Sequence, residues 1–316
     1  MNDEITRRVS LTKFAASNGL SAAACLSLAR LFLNGPLKRF GFRTDRITRF
    51  DSYQSCIAER VELADFYFAK FRPFCSFAGK TVLELGCNRG FLLESFLRAE
   101  PFTAIGADID EDALSHARQA LGDRARFIRS TATSIPLPDA SVDLVYTIDT
   151  VEHLSQPREI FLDVHRVMRG GGILFAYFCP WLSPYGSHME DVIPFPWANV
   201  VFSMDTLLTV AAAIYDSPDY KTAGYYIDQQ TGRPRPNPYL DRAAWEESLN
   251  RITIRRFRKL VESSPFELVH FETMAFGGRT FKFARLLRPL ARLPGLNEMF
   301  NTGVFCVLKK TAAPKQ

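Results

Sequence analysis

Two acidic residues end neighbouring predicted strands, one on each side of a glycine-containing turn. Glu84 lies in the apolar run TVLEL, just before that turn, and Asp108 follows the next apolar run, TAIGA. In an open parallel sheet, ligands bind outside the carboxyl ends of the strands. An acid at the end of the second strand can accept hydrogen bonds from both hydroxyls of a ribose. We therefore interpret Glu84 and Asp108 as ligand contacts and not as two solvated strand ends.

The turn that follows Glu84 excludes two phosphate-binding loops. A dinucleotide fingerprint needs Gly-x-Gly-x-x-Gly, but the three positions here hold Gly86, Asn88 and Phe91. A P-loop needs Gly-Lys-Ser/Thr, which this turn lacks. What remains is a loop whose backbone approaches an uncharged or cationic ligand. Cys87, inside this loop, is interpreted as a small packing residue and not as a nucleophile.

Two histidines are candidates for a general base. His153 follows the fourth predicted strand in TIDTVEHL, together with Asp149 and Glu152. Histidine titrates near neutral pH, so His153 could accept a proton from an acceptor molecule; a role in capping the next helix is the alternative. His188 is the second candidate, because it adjoins two acids in YGSHMED. A turn that hydrogen-bonds only to itself would explain His188 equally well.

Strand and helix patterns alternate around these residues. The predicted strands are 81–85, 103–107, 125–129, 142–148, 172–178, 266–273 and 303–310, and the predicted helices are 91–99, 110–121, 157–168 and 252–263. This alternation implies right-handed crossovers and a parallel sheet covered on both faces.

The chain divides into four predicted segments. Residues 1–77 form an N-terminal helical extension, 78–180 a cofactor-binding core, 181–250 an insertion after strand five, and 251–316 the completion of the core sheet. The insertion is rich in aromatic residues and proline, so it is too apolar to stay solvated. We predict that it forms a lid or a wall of the substrate site.

Composition restricts the class of partner. The 316 residues carry a net charge of +5. Residues 1–50 hold nine Lys or Arg and three acids, so the remainder of the chain is close to neutral and a uniformly basic nucleic-acid surface is not expected. The six cysteines are scattered without metal-ligand spacing, which predicts free thiols in a reducing compartment and no metal site.

The apolar stretch 11–33 has three interpretations. It could be a helix that packs on the catalytic domain, a helix on a membrane surface, or a signal peptide. A conventional membrane-spanning helix is not expected, because no eighteen apolar residues run uninterrupted. The paired arginines in TRRVS resemble a twin-arginine signal, but Arg30 interrupts the apolar region and no Ala-x-Ala cleavage site follows.

Four motifs occur in a familiar order: ELGCNRG, GADIDEDAL, FIRSTATSIPLPDASVDLVYTIDTVEHL and REIFLDVHRVMRGGGILFAYF. This series resembles the class I S-adenosylmethionine-dependent methyltransferases, in the subgroup of small-molecule methyltransferases of the ubiquinone-biosynthesis type. The resemblance covers residues 78–180 closely. It implies a Rossmann-like, doubly wound α/β fold whose mostly parallel sheet has seven strands, and S-adenosyl-L-methionine as the cofactor.

The resemblance also implies a role for individual residues in binding the cofactor. It places Glu84 near the amino-acid end of the cofactor, and Gly86 and Gly90 beside the methionine portion, with Cys87 and Asn88 between them. Asp108 would bind the ribose hydroxyls. The adenine would lie against Ile109, Thr131 and Ala132, and Asp149 would lie at the same edge of the sheet. Two positions depart from the family. Asn88 replaces the middle glycine, which requires a side chain that tolerates the left-handed backbone region, and Thr131 replaces the usual aspartate.

Methyl transfer to a small, apolar or aromatic acceptor at O, N or C is the function this pattern favours. A methyltransferase-like binding or regulatory protein without catalysis is the alternative, and the failed dinucleotide fingerprint disfavours an NAD(P) oxidoreductase. We expect a cytoplasmic protein with no nucleic-acid partner, in peripheral membrane contact if its N-terminal helix binds lipid.

Overall fold

The computed structural model describes residues 11–38, 53–218, 220–228, 231–276 and 283–311. The paired arginines near the amino terminus lie outside them. The chain forms two compact units. We name them the sheet unit, drawn from 58–180, 248–274 and 303–316, and the helical unit, drawn from 1–57, 181–247 and 275–302.

Seven strands and ten α-helices make up the regular structure of the described residues. The strands are β1 (Thr81–Leu85), β2 (Thr103–Asp108), β3 (Ala125–Arg129), β4 (Val142–Ile148), β5 (Met168–Phe178), β6 (Phe266–Ala275) and β7 (Asn301–Lys310). The helices are α1 (Leu11–Leu33), α2 (Tyr53–Phe71), α3 (Phe91–Ala99), α4 (Glu111–Leu121), α5 (Pro157–Val167), α6 (Ala198–Val201), α7 (Met204–Tyr215), α8 (Arg242–Glu247), α9 (Ile254–Glu262) and α10 (Asn297–Phe300).

The seven strands form one sheet in the order β3-β2-β1-β4-β5-β7-β6. Strands β1 to β5 pair in parallel, and β7 runs antiparallel to β5. The strand order reverses beside β1, which is the place where ligands bind in sheets of this kind. The predicted Rossmann-like, doubly wound fold is confirmed.

Both faces of the sheet are covered by helices. Val82 of β1 belongs to one apolar cluster, with Phe96 of α3 and Phe71 of α2. Its neighbour Leu83 belongs to the other cluster, with Phe161 of α5. Successive residues of a strand point to opposite faces, so a strand that is buried on both sides reads as a continuous apolar run. This explains why TVLEL carries no polar alternation.

The boundary between α5 and β5 differs from the prediction. The helix ends at Val167 and the strand begins at Met168, whereas the sequence predicted helix to 168 and strand from 172. Met168 pairs with Val142, and the register shifts before Leu144. The glycines at the start of β5 look like a break in the sequence, but they accommodate an irregular pairing with β4.

The helical unit has an apolar core of its own. Helix α1 is interrupted at Gly19, where φ is 83°, and it packs against α7 through Cys25 and Leu26. By length and composition alone, Phe14–Leu33 is long and apolar enough to cross a membrane, a test that a core helix or a signal sequence also passes. Because α1 packs against α7, one of its faces is buried within this unit, while Leu20 is 84% exposed.

Aromatic residues of the predicted insertion contribute much of this core. Tyr239 and Tyr215 are almost fully buried. Tyr220 and Tyr239 donate hydrogen bonds to the buried carboxylate of Asp191, at 3.1 and 3.3 Å. The segment that we predicted as a lid thus belongs to a packed unit, which also takes in residues 275–302 from the predicted completion of the sheet.

Candidate functional site

The loop after β1 requires glycine at its first position. Gly86 has φ of 80°, a region that side chains disfavour. A Cβ atom at Gly86 would lie 2.2 Å from Oγ1 of Thr150, which follows β4. The loops after two adjacent strands therefore approach each other closely. Gly90, with φ of 76°, then lies at the amino terminus of α3.

Asn88 connects this loop to the acid at the end of β2. Its φ of 47° lies in the left-handed region, as expected for an asparagine in place of glycine. The main-chain N–H of Asn88 donates to Oδ2 of Asp108 at 2.7 Å, and the N–H of Asp110 donates to Oδ1 at 3.0 Å. Two backbone amides thus orient the half-buried carboxylate of Asp108.

Glu84 is buried near the carboxyl end of β1, an inner strand of the sheet. Its side chain is 3% exposed, and the hydroxyl of Tyr146 donates to Oε2 at 3.1 Å. The two residues are register partners in β1 and β4. Burial raises the pKa of Glu84 to about 8, although the Tyr146 hydrogen bond acts in the opposite direction. Glu84 is therefore mostly neutral near pH 7 in the free protein.

A second buried acid follows β4. Glu152 is 3% exposed, and its Oε1 accepts a hydrogen bond from the N–H of Cys179 at 3.2 Å. Burial and the nearby charge of Asp149 raise the pKa of Glu152. Asp149 itself has φ of 50° and lies 4.0 Å from a guanidinium nitrogen of Arg60. Four acids, Glu84, Asp108, Asp149 and Glu152, thus lie at or near the carboxyl edge of the sheet.

His153 is oriented by the chain that precedes α9. Its Nδ1 lies 2.7 Å from the carbonyl oxygen of Ser248. A carbonyl only accepts, so Nδ1 carries the proton and the neutral ring has its lone pair on Nε2. The side chain of Asn250 donates to the carbonyls of Val151 and Leu154, at 2.7 and 2.9 Å. The turn that carries His153 is therefore held by hydrogen bonds to two residues of the segment before α9, Ser248 and Asn250.

The predicted adenine contacts lie at the ends of β2 and β3. Ile109, which follows β2 directly, is 61% exposed. Thr131 accepts the N–H of Ser134 at Oγ1, at 3.0 Å, so its hydroxyl closes a turn. Ala132 follows within that turn. The N–H of Ser130 donates to the carbonyl of Asp108 at 2.9 Å, which brings this turn close to Asp108.

The side chain of Cys87 is a packing group, in agreement with the sequence interpretation. It is 3% exposed and lies in the apolar cluster that contains Phe127. Burial raises the pKa of its thiol far above the ordinary value. Any contact of Cys87 with a ligand would therefore involve its main chain.

His188 lies in the helical unit, whereas His153 lies in the sheet unit. His188 has φ of 55°, and its N–H donates to the carbonyl of Tyr185 at 3.2 Å. Asp191, predicted to share an ionisable cluster with His188, is held by tyrosines in the core of the helical unit. The catalytic role of His188 stays a prediction.

Three residues near this edge escaped the sequence analysis: Tyr146, Arg60 and Asn250. Tyr146 looks like an ordinary apolar strand residue, and only the pairing of β1 with β4 brings it to Glu84. Asn250 stands just before α9, about a hundred residues after the turn that it holds. Its position before a helix could have marked it as a residue that organises a loop.

Residues 83–176 match a family model described as a methyltransferase domain. An uncharacterized methyltransferase of Mycobacterium sp. (strain JLS) is 33% identical over 110 residues, which is 35% of this chain and 43% of the relative. One from Mycobacterium ulcerans (strain Agy99) is 32% identical over 114 residues, or 36% of this chain and 44% of the relative. The matches thus span less than half of either relative. Among solved structures, an S-adenosylmethionine-dependent methyltransferase from Mesorhizobium loti aligns with a TM-score of 0.49 at 16% identity, over 79% of this chain and 99% of that one.

Proposed function

We propose that this chain, whose residues 83–176 form a class I S-adenosylmethionine-dependent methyltransferase domain, methylates a small apolar or aromatic acceptor. The observation that carries the proposal is the set of acids at the carboxyl edge beside the left-handed loop after β1. The cofactor is a cation that also carries an amino acid and a ribose. An acidic edge with an open backbone loop is complementary to such a ligand.

The residues at the sheet edge fit the cofactor. Asp108, held by two amides, would accept hydrogen bonds from the ribose hydroxyls, and the exposed Ile109 would be covered by the adenine ring. Gly86 and Gly90 would leave the loop backbone open to the methionine portion. Glu84, buried behind the loop, would stabilise the amino-acid end. When bound, the cofactor supplies an electrophilic methyl group on a sulfonium.

Methyl transfer by in-line displacement depends mainly on alignment of the reacting atoms. The rigid strand ends would supply that alignment. If the acceptor is a hydroxyl or an amine, His153 would take its proton at Nε2, because Nδ1 is engaged by Ser248. His188 is the second candidate for this role, from the helical unit.

A small acceptor is favoured over a nucleic acid by the charges at this edge. Asp108 and Asp149 would repel a polyphosphate backbone, whose binding depends on Lys and Arg. The ubiquinone-type subgroup would make the acceptor a quinone-like or lipid molecule. Contact of α1 with a membrane surface, through exposed side chains such as Leu20, would suit such an acceptor in a cytoplasmic protein.

Calorimetric titration with S-adenosylmethionine tests cofactor binding. We expect Asp108→Ala to weaken binding by at least about tenfold, or ~1.4 kcal/mol. The matched control is Asp123→Ala, an exposed acid in the turn after α4, which should bind like the wild type. Circular dichroism checks that both variants fold. No binding by the wild type, or equal binding by Asp108→Ala, would contradict the proposal.

Activity is tested by incubating cell extract with the protein and isotopically labelled cofactor, followed by a search for gains of one methyl group in small molecules. Labelled small molecules that disappear with Asp108→Ala would support the proposal. Cofactor binding without any methylated product would instead favour a methyltransferase-like binding protein.

A further inference from the structure

A basic and apolar segment precedes β7 in the helical unit. It begins as the 3₁₀ helix Phe283–Arg292 and continues to Leu296. Three of its leucines are exposed, Leu286 by 78%, Leu293 by 48% and Leu296 by 37%. Single exposed leucines are common on protein surfaces. Three in one short segment form a concentrated apolar surface.

The outward face of this segment is fixed by the fold. In a 3₁₀ helix, residues three apart lie on the same face, so Leu286, Pro289 and Arg292 form one row. All three are exposed. Ala291 points inward and is 5% exposed, and its carbonyl accepts a hydrogen bond from the buried side chain of Asn301 at 3.1 Å. The row is therefore exposed, while Ala291, next to Arg292 in the chain, is held at the start of β7.

The charge of the segment has a single sign. Between Phe276 and Glu298 the sequence contains five cations and no acid: Arg279, Lys282, Arg285, Arg288 and Arg292. The first two lie outside the described residues, and the last two are exposed in the structure.

We propose that residues 283–296 dock the protein on a bilayer that contains anionic phospholipid. Leucines that alternate with arginines match such an interface, since apolar side chains enter the acyl boundary while guanidinium groups stay at the phosphates. A single-stranded nucleic acid would share the phosphate chemistry but favours exposed aromatic side chains for stacking. Among the side chains of this segment that the structure describes, the exposed large apolar ones are Leu286, Leu293 and Leu296. The surface shares no residue with the proposed methyl-transfer site or with α1.

Vesicle sedimentation of the full-length protein tests this docking. We expect binding to vesicles of equal parts phosphatidylglycerol and phosphatidylcholine, weak binding to pure phosphatidylcholine, and a steep loss of affinity with added salt. Arg288→Gln/Arg292→Gln should weaken binding by about 30-fold, from roughly fivefold per charge. Leu286→Gln/Leu293→Gln should weaken it by at least about tenfold.

Matched controls lie on the sheet unit. Leu162→Gln/Leu268→Gln removes two exposed leucines, and Arg126→Gln/Arg158→Gln removes two exposed arginines. Both controls should sediment like the wild type. Far-ultraviolet circular dichroism should give the same spectrum for all variants, which shows that they are folded.

Three results would overturn the proposal. The wild type could fail to sediment with anionic vesicles. The variants of 283–296 could bind as tightly as the wild type while Leu20→Gln abolishes binding, which would assign the contact to α1. Finally, polyuridylate could displace the vesicles while only the arginine variant is impaired, which would favour a nucleic-acid surface.

Discussion

Replacing Glu84 by Gln should change how the stability of the sheet unit depends on pH. Glu84 is buried, and its folded-state pKa is raised from 4.5 to about 8. The folded protein therefore holds a proton that the unfolded chain releases between those two values. The stability that protonated Glu84 contributes is fully present below about pH 4.5 and is lost as the pH rises toward about 8. Glutamine has nearly the same shape but cannot titrate.

The magnitude follows from proton linkage. When one proton is held only by the folded state, the free energy of unfolding falls by ~1.4 kcal/mol for each unit by which the pH rises. Between about pH 5 and about pH 7 the wild type should therefore lose roughly 2 to 3 kcal/mol relative to Glu84→Gln. Glu152, whose pKa is also raised, adds a slope of its own to both proteins. The difference between wild type and variant isolates Glu84.

Urea unfolding followed by far-ultraviolet circular dichroism measures this difference. Tryptophan fluorescence is unsuitable, because Trp181, Trp197 and Trp245 all lie in the helical unit. Difference infrared spectroscopy of the folded proteins gives a direct control, since a protonated carboxyl band near neutral pH should weaken in the variant. Parallel stability curves for the two proteins across this pH range would refute the assignment of a neutral, buried Glu84.

The structure makes two other predictions. Gly86→Ala should destabilise the protein by roughly 2 to 5 kcal/mol in urea unfolding, because its Cβ would collide with Thr150 at a positive φ; Gly79→Ala, with a similar φ but open space around it, should cost less. Asn250→Ala should cost ~3 kcal/mol through three lost hydrogen bonds, and it should alter the pH profile of methyl transfer if it positions His153; an unchanged profile with full activity would leave Asn250 a purely structural role.

Much of the sheet could be predicted from the sequence, because its elements are set by local pattern. The apolar runs of β1 and β4 and the proline that opens α5 all indicate their elements directly. The left-handed backbone of Asn88 followed in the same way from its place in a glycine loop. These features depend on a few neighbouring residues.

What the sequence left hidden depends on pairing between distant segments. Glu84 reads as one acid of the candidate ligand edge, yet the register of β1 with β4 buries it against Tyr146. The aromatic residues after β5 are predicted to form a lid or a substrate wall, and the sequence does not show that Tyr239 among them hydrogen-bonds to Asp191 in a core shared with α1. Neither partner could be identified from local spacing.

The path of the chain has a consequence for synthesis on the ribosome. β5 pairs with β7, and β6 follows β7 at the edge of the sheet. β7 is the last of these seven strands to emerge, so until then one side of β5 has no strand to pair with and β6 cannot join the sheet. Open strand edges invite pairing with other chains. A chain that stalls before Asn301 would therefore expose the unpaired edge of β5 to aggregation. Pairing of β7 with β5 removes that open edge.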